Sequence, residues 1–468
     1  MPVDSTHSEY LVSTRQWQRC RDAIAGSDAI KDGGVRYLPY LSEQTSEEYN
    51  AYKSRALWYG ASARTLQGLM GAVMRKDPVF TVPEALEPLL ADVSLNGSPA
   101  TTFAKKILGE VLQVGRVGVL VDLPTETDST PRPYWSIYTA ESIINWRTRM
   151  IDGVETLVLV VLKERKVSPK PTDFYVEDET QICRVLKIDD EGYYAVELHS
   201  LQGNEAPEII HPTLRGKRLT YIPFCFFGPT TITPAIEKPP LLDLVDVNLS
   251  HYRSSADLEH GRHFCGLPTP WVAGFPADKE LRIGSSIAWV ASDAGAQAGM
   301  LEFTGQGLGA LEKALETKEQ LMAVLGARLL EESKKAVEAS DTLEMRYSGE
   351  QSVLRSVAMT IGNGLSRVLE WSALWMDVRP EEAKTAVANM NTDFIDAQMS
   401  FDQLESLVRS WQAGAMTYQT MYSLMERGEI TRPGVTWEDE KEALEVEMPN
   451  HVPKGDFVLD GMREGRSS

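Results

Sequence analysis

The chain has 468 residues, of which 43% are hydrophobic. This length and composition predict two to four domains with real cores and exclude a wholly disordered chain. The formal net charge is −20, which argues against a repressor or nuclease surface because tight binding to phosphates needs lysine and arginine. The charge does not exclude a protein past which DNA slides, because an acidic surface repels the phosphate backbone and prevents tight binding.

Hydrophobic runs, the N-terminal sequence and the cysteine spacing all bear on the compartment in which the protein is made. No apolar run is long enough to span a membrane, and the N-terminus has neither the basic start nor the apolar core of a signal peptide. We therefore expect synthesis in a cytoplasm. The four cysteines, Cys20, Cys183, Cys225 and Cys265, lie far apart with no CxxC pair, and we interpret them as reduced structural thiols.

The first part of the chain has mainly helical patterns. Apolar residues recur at helical spacing over 8–25 and again from 46 to about 75, where Pro78 ends the second pattern. A short helix is predicted over 86–90. The next helix is expected to be capped by Ser98 or Thr101 and to end near Val114.

A strand-rich part follows. The apolar run 115–122 predicts a buried strand. Asp152-Gly153 and Glu191-Gly192 are typical of tight turns between strands. Together with the preceding helices, this pattern predicts an α+β domain of the first 230 or so residues. Six further strands are predicted over 135–138, 143–146, 156–162, 181–186, 193–198 and 221–227.

Beyond Pro239-Pro240 the pattern changes to long helices. A first helix is predicted from Leu241 and is expected to end at Gly261 or Gly266. A small β module is predicted over 267–307, with strands at 270–273, 286–290 and 300–303. A second helix follows from Leu308, its apolar series broken by Lys318, and a third covers 345–375 after a charged loop. Shorter helices are predicted at 401–413 and 417–427, before a polar tail.

No catalytic motif stands out. The phosphate loop GxxxxGK[ST] is absent, so the strand that ends at Asp122 is interpreted as one ending in a solvated carboxylate and not as half of an ATPase site. Gly305, Gly307 and Gly309 lack the strand-to-helix context of a dinucleotide loop, and a flexible helix entry is the preferred interpretation. GxSxG and HExxH do not occur.

Two clusters could in principle hold a cation. His260, His263 and Cys265 lie close in sequence, but an exposed helix end explains them as well. Asp243 and Asp246 share a helix face, which is typical of a solvated acidic surface. The sequence therefore predicts no catalytic residue, no cofactor-binding residue and no metal site.

Lys334 and Lys335 form a basic pair in a small-residue loop of an otherwise acidic chain. One interpretation is an ordinary solvated loop between helices. The other is a mobile loop that touches passing DNA.

Five stretches, spread in order along most of the chain, carry a family resemblance. They are Trp58–Pro78, Gly115–Pro124, Arg132–Arg147, Leu249–Gly266 and Phe394–Gly428. In these stretches the chain resembles the portal proteins of tailed bacteriophages, specifically a branch long filed as a phage domain of unknown function. The motifs are structural, so no catalytic residue is carried over.

The resemblance implies an α+β, mostly helical chain with the portal architecture of wing, stem, clip and crown. The regions that follow from it, by position, are an α+β wing (1–238), a first stem helix (239–263), a clip (264–307), a second stem helix (308–330), a tunnel loop (331–342), a long helix to the crown (343–379), the crown (380–440) and a polar tail (441–468).

The resemblance also implies a function. Portal subunits form a ring, typically a homododecamer, at one capsid vertex of the virion, and double-stranded DNA passes non-specifically through its channel during packaging and ejection. The implied partners are the terminase large subunit, which supplies the ATPase, head-completion or adaptor proteins, and major capsid and scaffolding proteins. No cofactor and no enzymatic activity are expected. The alternatives are another head–tail structural protein, such as an adaptor or capsid-associated subunit, and an enzyme with an unfamiliar site.

Overall fold

The computed structural model describes residues 2–123, 132–170, 173–202, 206–267, 269–275, 289–290, 293–301, 305–329, 352–394, 401–412, 414–427, 431 and 435–447. The chain divides into two compact units, Met1–Asp393 and Phe394–Ser468. Helices account for 47% and strands for 23% of the structure, which confirms the predicted α+β, mostly helical class.

The first unit contains the long helices. Its helices are α1 (Ser8–Ala25), α2 (Ser27–Asp32), α3 (Ser46–Arg55), α4 (Ala61–Val73), α5 (Glu87–Leu90), α6 (Ala100–Val114), α7 (Leu242–Gly266), α8 (Leu308–Arg328), α9 (Val353–Trp375) and α10 (Pro380–Ala383). Short 3-10 turns occupy Gly34–Arg36, Glu84–Leu86 and Ala140–Ser142.

The strands of the first unit pair antiparallel in five groups. In chain order they are β1 (Val79–Thr81), β2 (Val117–Asp122), β3 (Tyr134–Thr139), β4 (Ile143–Ile151), β5 (Val154–Lys170), β6 (Asp173–Ile188), β7 (Tyr194–Ser200), β8 (Glu208–Ile210), β9 (Thr213–Leu214), β10 (Lys217–Arg218), β11 (Phe224–Phe227), β12 (Thr269–Ala273), β13 (Gln297–Leu301) and β14 (Val387–Asn389). The sheets are β11-β2-β3, β4-β5-β6-β7-β8, β1-β14, β9-β10 and β12-β13.

Helix α9 lies at the centre of the first unit. It contacts α6, β11, β14 and β2, and Val357, Ile361, Leu365 and Val368 on it are fully buried. The Trp135 indole of β3 donates a hydrogen bond of 2.8 Å to the Ser372 hydroxyl. The helix begins at Val353, where the Ser352 hydroxyl accepts from the Arg355 amide, and the start predicted at 345 lies outside the described residues.

The helix predicted over 46–75 is two helices. The chain leaves the helical conformation at Ala56 and re-enters it at Ala61. Between them, the Leu57 amide donates to the Ser255 hydroxyl of α7 at 3.1 Å. Hydrogen bonds to a distant helix thus replace the intrahelical ladder, and an amphipathic pattern cannot reveal them.

Helix caps differ in part from expectation. Thr45 and Glu48 form a capping box at the start of α3, which satisfies amide groups of the first turn. Helix α6 instead follows Pro99 with no side-chain cap, so the predicted caps Ser98 and Thr101 are wrong. Helix α7 runs to Gly266, and Gly261, one of the two predicted ends, lies inside it.

The second unit contains three described helices, α11 (Phe401–Gln412), α12 (Tyr418–Arg427) and α13 (Trp437–Glu447). The first two confirm the predicted pair. The third crosses the boundary drawn at 440 between crown and tail, and its first turn is fixed because the Thr436 hydroxyl accepts from the Asp439 amide at 3.2 Å. The Tyr422 hydroxyl donates to the Val435 carbonyl at 3.1 Å and so joins α12 to the start of α13.

Candidate functional site

Helices α7 and α8 form a long antiparallel pair. At about 1.5 Å per residue, α7 is about 38 Å long and α8 about 32 Å. Leu308 lies against Gly261 at one end of the pair, and Leu244 lies near Gly326 at the other. The antiparallel strands β12 and β13 connect the helices at the Gly261 end. The chain therefore makes a helix, a two-stranded tip and a returning helix.

Polar side chains fix the register of this pair. Arg262 of α7 is ion-paired with Glu312 of α8 at 2.7 Å. The Lys318 ammonium donates to the Ser250 carbonyl at 3.1 Å and to the Ser254 hydroxyl at 2.6 Å. Burial lowers the pKa of Lys318 from its ordinary value. The residue that interrupts the apolar series of α8 is thus the one that binds the backbone of α7.

A buried histidine lies midway along the pair. His251 of α7 is 3% exposed, and its Nε2 lies 3.2 Å from a carboxylate oxygen of Glu319 on α8. Burial lowers the pKa of His251, while Glu319 opposes that shift. The contact contributes to the register as a hydrogen bond, and an ion pair would form there only on protonation.

The opposite side of α7 is bound by the chain around α3 and α4. Asn248, which is fully buried, accepts from the Ser62 amide at 3.2 Å and the Ser62 hydroxyl at 2.9 Å, and donates to the Tyr59 carbonyl at 2.8 Å. Further along, the Tyr52 hydroxyl donates to Asp257 at 2.6 Å. These contacts hold the middle of α7 in place, from Asn248 to Asp257.

One side of α8 has no covering element in the described part of the chain. Leu321 and Val324 are 45% and 47% exposed. At the other end of the pair, Trp271 and Met300 of the β12–β13 tip are also 42% and 50% exposed. A helix whose apolar positions remain partly exposed on one side is typical of a surface buried in an assembly.

The predicted channel residues cannot be placed. Lys334 and Lys335, with the whole proposed tunnel loop 331–342, lie outside the described residues. In the predicted clip, 270–273 is a strand as expected and lies in β12, whose partner is β13. The third predicted strand is displaced to Gln297–Leu301. Most of the second, 286–288, also lies outside the described residues.

Asp122 is not the solvated carboxylate that the sequence predicted. It lies 3.4 Å from Arg184, and Arg184 also binds Glu164 at 2.7 Å. The Tyr138 hydroxyl donates to Glu164 at 2.6 Å. Burial raises the pKa of Asp122, although Arg184 opposes the shift. The carboxylate therefore joins the sheet β11-β2-β3 to β5 and β6 of the five-stranded sheet.

The two possible cation clusters have other partners. His263 contacts the Arg55 guanidinium at 3.1 Å, and the His260 ring packs edge-on against Tyr52. Asp246 is paired with Arg19 at 3.3 Å, and Asp243 with Lys238 at 2.6 Å. Among the described residues no group of three or more histidine, cysteine or acidic side chains could hold a metal ion.

Three of the cysteines are buried in separate places, and Cys265 is half-buried at the end of α7. None of the four forms a disulfide with another. Burial raises the pKa of Cys20 and of Cys225 to about 12, so these thiols remain protonated and unreactive. Across the described helices, none is both long and apolar enough to cross a membrane.

Comparison with known proteins gives one family and several distant structures. A family model described as a domain of unknown function (DUF4055) matches residues 240–376, which contain α7, the β12–β13 tip, α8 and α9. No curated protein matches the chain.

The solved structures include the virion of a native gene transfer agent particle, with 10% identity, 86% of this chain and 99% of that chain covered, and a TM-score of 0.39. The neck of the empty particle, computed with C6 symmetry, has 10% identity and a TM-score of 0.40, with 84% of this chain and 98% of that chain covered. The neck of the native particle, computed with C12 symmetry, has 10% identity and a TM-score of 0.37, with 78% of this chain and 89% of that chain covered. With TM-scores below 0.5, these likenesses are distant.

Proposed function

We propose that the chain is a structural subunit of a phage head–tail junction, and specifically the portal protein that forms a ring at one capsid vertex. The observation that carries this proposal is the α7–α8 pair with its two-stranded tip and one uncovered apolar side. Its order of helix, tip and returning helix, with α9 next among the described helices, agrees with the stem, clip and long helix that the sequence resemblance implies.

The physical argument concerns what covers α8. Its Met322 is buried, whereas Leu321 and Val324 are about half exposed. In a closed ring, the same surface of each copy meets a different surface of the next, and one contact repeated around the axis covers every copy equally. A homododecamer, the usual portal size, is the assembly we expect.

The partners follow from that position. The ring would hold the terminase large subunit during packaging, and head-completion or adaptor proteins afterwards, with capsid and scaffolding proteins around it. Double-stranded DNA would pass through without sequence-specific contacts, since the net charge of −20 disfavours tight binding of phosphates. In this proposal the subunit is not itself an enzyme and belongs to the virion.

Electron microscopy and light scattering of the purified chain test the proposal. Rings with a central hole wide enough for a DNA duplex are expected. A stable monomer in the presence of its terminase and adaptor partners contradicts the portal role. Compact small oligomers without a hole favour an adaptor or an enzyme.

The α8 surface can be tested separately. Leu321→Asp combined with Val324→Asp should abolish rings while the subunit keeps its helical content, because charges are costly in a buried contact. Leu11→Asp combined with Val12→Asp is a matched control, since these residues are 62% and 70% exposed and lie on α1, outside the helix pair. Rings formed equally well by both variants would mean that α8 is not a subunit contact.

A further inference from the structure

Strands β5 and β6 extend well beyond the sheet they belong to. Strand β4 pairs with β5 only as far as Leu162, and β7 pairs with β6 only as far as Ile182. Farther along, β5 and β6 pair only with each other. They form a two-stranded ribbon, which we define as residues 163–167 and 175–180, and both its outer backbone edges lack a neighbouring strand within the described residues. The last backbone contact on the β7 side is made by the Gln181 carbonyl, which accepts from the Leu201 amide at 3.0 Å.

The two strands of the ribbon differ in charge. Lys163, Arg165 and Lys166 lie on β5, and all three are exposed. Glu177, Asp178 and Glu179 lie on β6 and are equally exposed. The carboxylate of Glu164, also on β5, is used by Arg184 and Tyr138 at the base of the ribbon. One edge of the ribbon is therefore basic and the other acidic.

These charges are offset along the ribbon and do not face each other. Lys163 lies opposite Cys183, Lys166 opposite Thr180, and Glu179 opposite Val167. Among the side chains that the structure describes, the ribbon's two edges share one ion pair, Arg165 with Glu179, at a long 3.8 Å and with both side chains mostly exposed. Most of the charge on each edge remains available to another strand.

We infer that in the assembled ring the basic edge of each ribbon lies beside the acidic edge of the ribbon of the next copy. The occupant is a second copy of this chain because each copy carries both complementary edges. A contact between two different edges of the same protein closes into a ring when the rotation between neighbouring copies divides a full turn, as the proposed ring requires. Opposite charges on adjacent strands attract across the spacing of about 4.8 Å. This inference rests on the proposed ring.

Charge reversal in trans tests the contact. One full-length variant carries Lys163→Glu and Lys166→Glu, and the other carries Glu177→Lys and Asp178→Lys. Neither touches the Arg165–Glu179 pair. Each alone places like charges at every contact, so rings should require a protein concentration about tenfold higher or more at low salt, where a factor of ten corresponds to about 1.4 kcal/mol. An equimolar mixture should restore rings with alternating subunits, because every contact again joins opposite charges.

The mixture separates this role from damage within one subunit, since strands weakened inside each chain would not recover on mixing. Lys105→Glu with Lys106→Glu on α6 is the control for the first variant, because it changes the net charge by the same amount, and it should assemble as the unmodified chain does. If the single-edge variants assemble normally, if mixing fails to rescue them, or if the control fails equally, the ribbon contact is wrong although the ring stands. If the unmodified chain forms no ring, the proposed function fails and this inference with it.

Discussion

Asn248 connects α7 to the break between α3 and α4 through three hydrogen bonds. Asn248→Ala would leave the Tyr59 carbonyl and the Ser62 amide buried with no side-chain partner. We expect the free energy of unfolding to fall by about 3 kcal/mol, since each unpaired buried group costs about 1–3 kcal/mol. Denaturant titration measures this loss.

The control is Asn50→Ala. Asn50 is an exposed residue on α3, and its replacement should change stability by about 0.5 kcal/mol or less. A loss of that small size at Asn248 would show that the neighbouring chain or water replaces its hydrogen bonds.

The raised pKa of Asp122 predicts a pH dependence of stability. Burial is its main cause, so above the ordinary value of 3.8 the folded protein holds this proton longer than the unfolded chain does. Stability contributed by this group therefore falls as pH rises through that window. Asp122→Asn removes the group, and its stability relative to the unmodified protein should increase as pH rises above the ordinary pKa of 3.8.

The pKa of Asp189 is shifted in the opposite direction to that of Asp122, so the two carboxylates should affect stability oppositely as pH changes. The Tyr193 amide and Arg218 lower the pKa of this carboxylate, so its contribution is present above the ordinary pKa and is lost as pH falls. Asp189→Asn should therefore be destabilising near neutral pH, and its deficit should shrink in acid. Parallel pH profiles for the two variants would refute the assignment of Asp122 to a buried, desolvated position.

At the scale of elements, long amphipathic helices could be predicted well. Helix α1 has the predicted bounds, and α8, α11 and α12 differ from theirs by a residue or two at an end. Their apolar residues recur along one face, so local sequence determines where they begin and end. For the same reason the buried strand β2 and the turns at Gly153 and Gly192, both with positive φ, could be recognised.

The elements that sequence reasoning missed depend on partners far away in the chain. Strands β1 and β14 pair across most of the first unit, and each is too short for a recognisable alternation. The outer parts of β5 and β6 are charged, so hydrophobic alternation ends long before the strands do. The break at 56–60 depends on Asn248 and Ser255 of α7. In the candidate site, the sequence did offer one signal of such contacts. Asn248 and Lys318 are polar residues within apolar helical series, and both bind a neighbouring element.

Close packing of α9 on β14 predicts the effect of adding one methyl group. A Cβ at Gly362 would lie 2.8 Å from the Ala388 carbonyl oxygen, and backbone on both sides cannot yield cheaply. We expect Gly362→Ala to destabilise the fold by about 2 kcal/mol, because overpacking outweighs the gain in helix propensity. Thermal or denaturant unfolding measures the change.

Gly71→Ala on α4 makes the same substitution where nothing lies within 4 Å of the added Cβ. It should stabilise the protein by up to about 1 kcal/mol, the difference in helix propensity. If both variants are stabilised, β14 does not pack against α9 as closely as described.

For the whole molecule, the strongly negative charge sets how DNA would be handled. With 67 acidic and 47 basic side chains, an acidic channel wall would repel the phosphate backbone and prevent strong adhesion. A few lysines within such a wall could slow or hold DNA without stopping it. Each exposed contact contributes about 1 kcal/mol or less, and salt weakens it further.

Lys334 and Lys335 are the residues we predict to have this role. If the loop 331–342 projects into the channel, each ring carries a circle of flexible point charges that meet phosphates in any register. Replacing both lysines with alanine should leave ring assembly intact and reduce packaging or retention of full-length DNA. Packaging into capsids with the terminase, followed by nuclease protection of the packaged DNA, measures the effect. Lys105→Ala with Lys106→Ala, an exposed adjacent pair on α6, is the matched control. Normal packaging and retention by the loop variant would refute the DNA contact, whereas failure to form rings would assign the loop to the subunit interface.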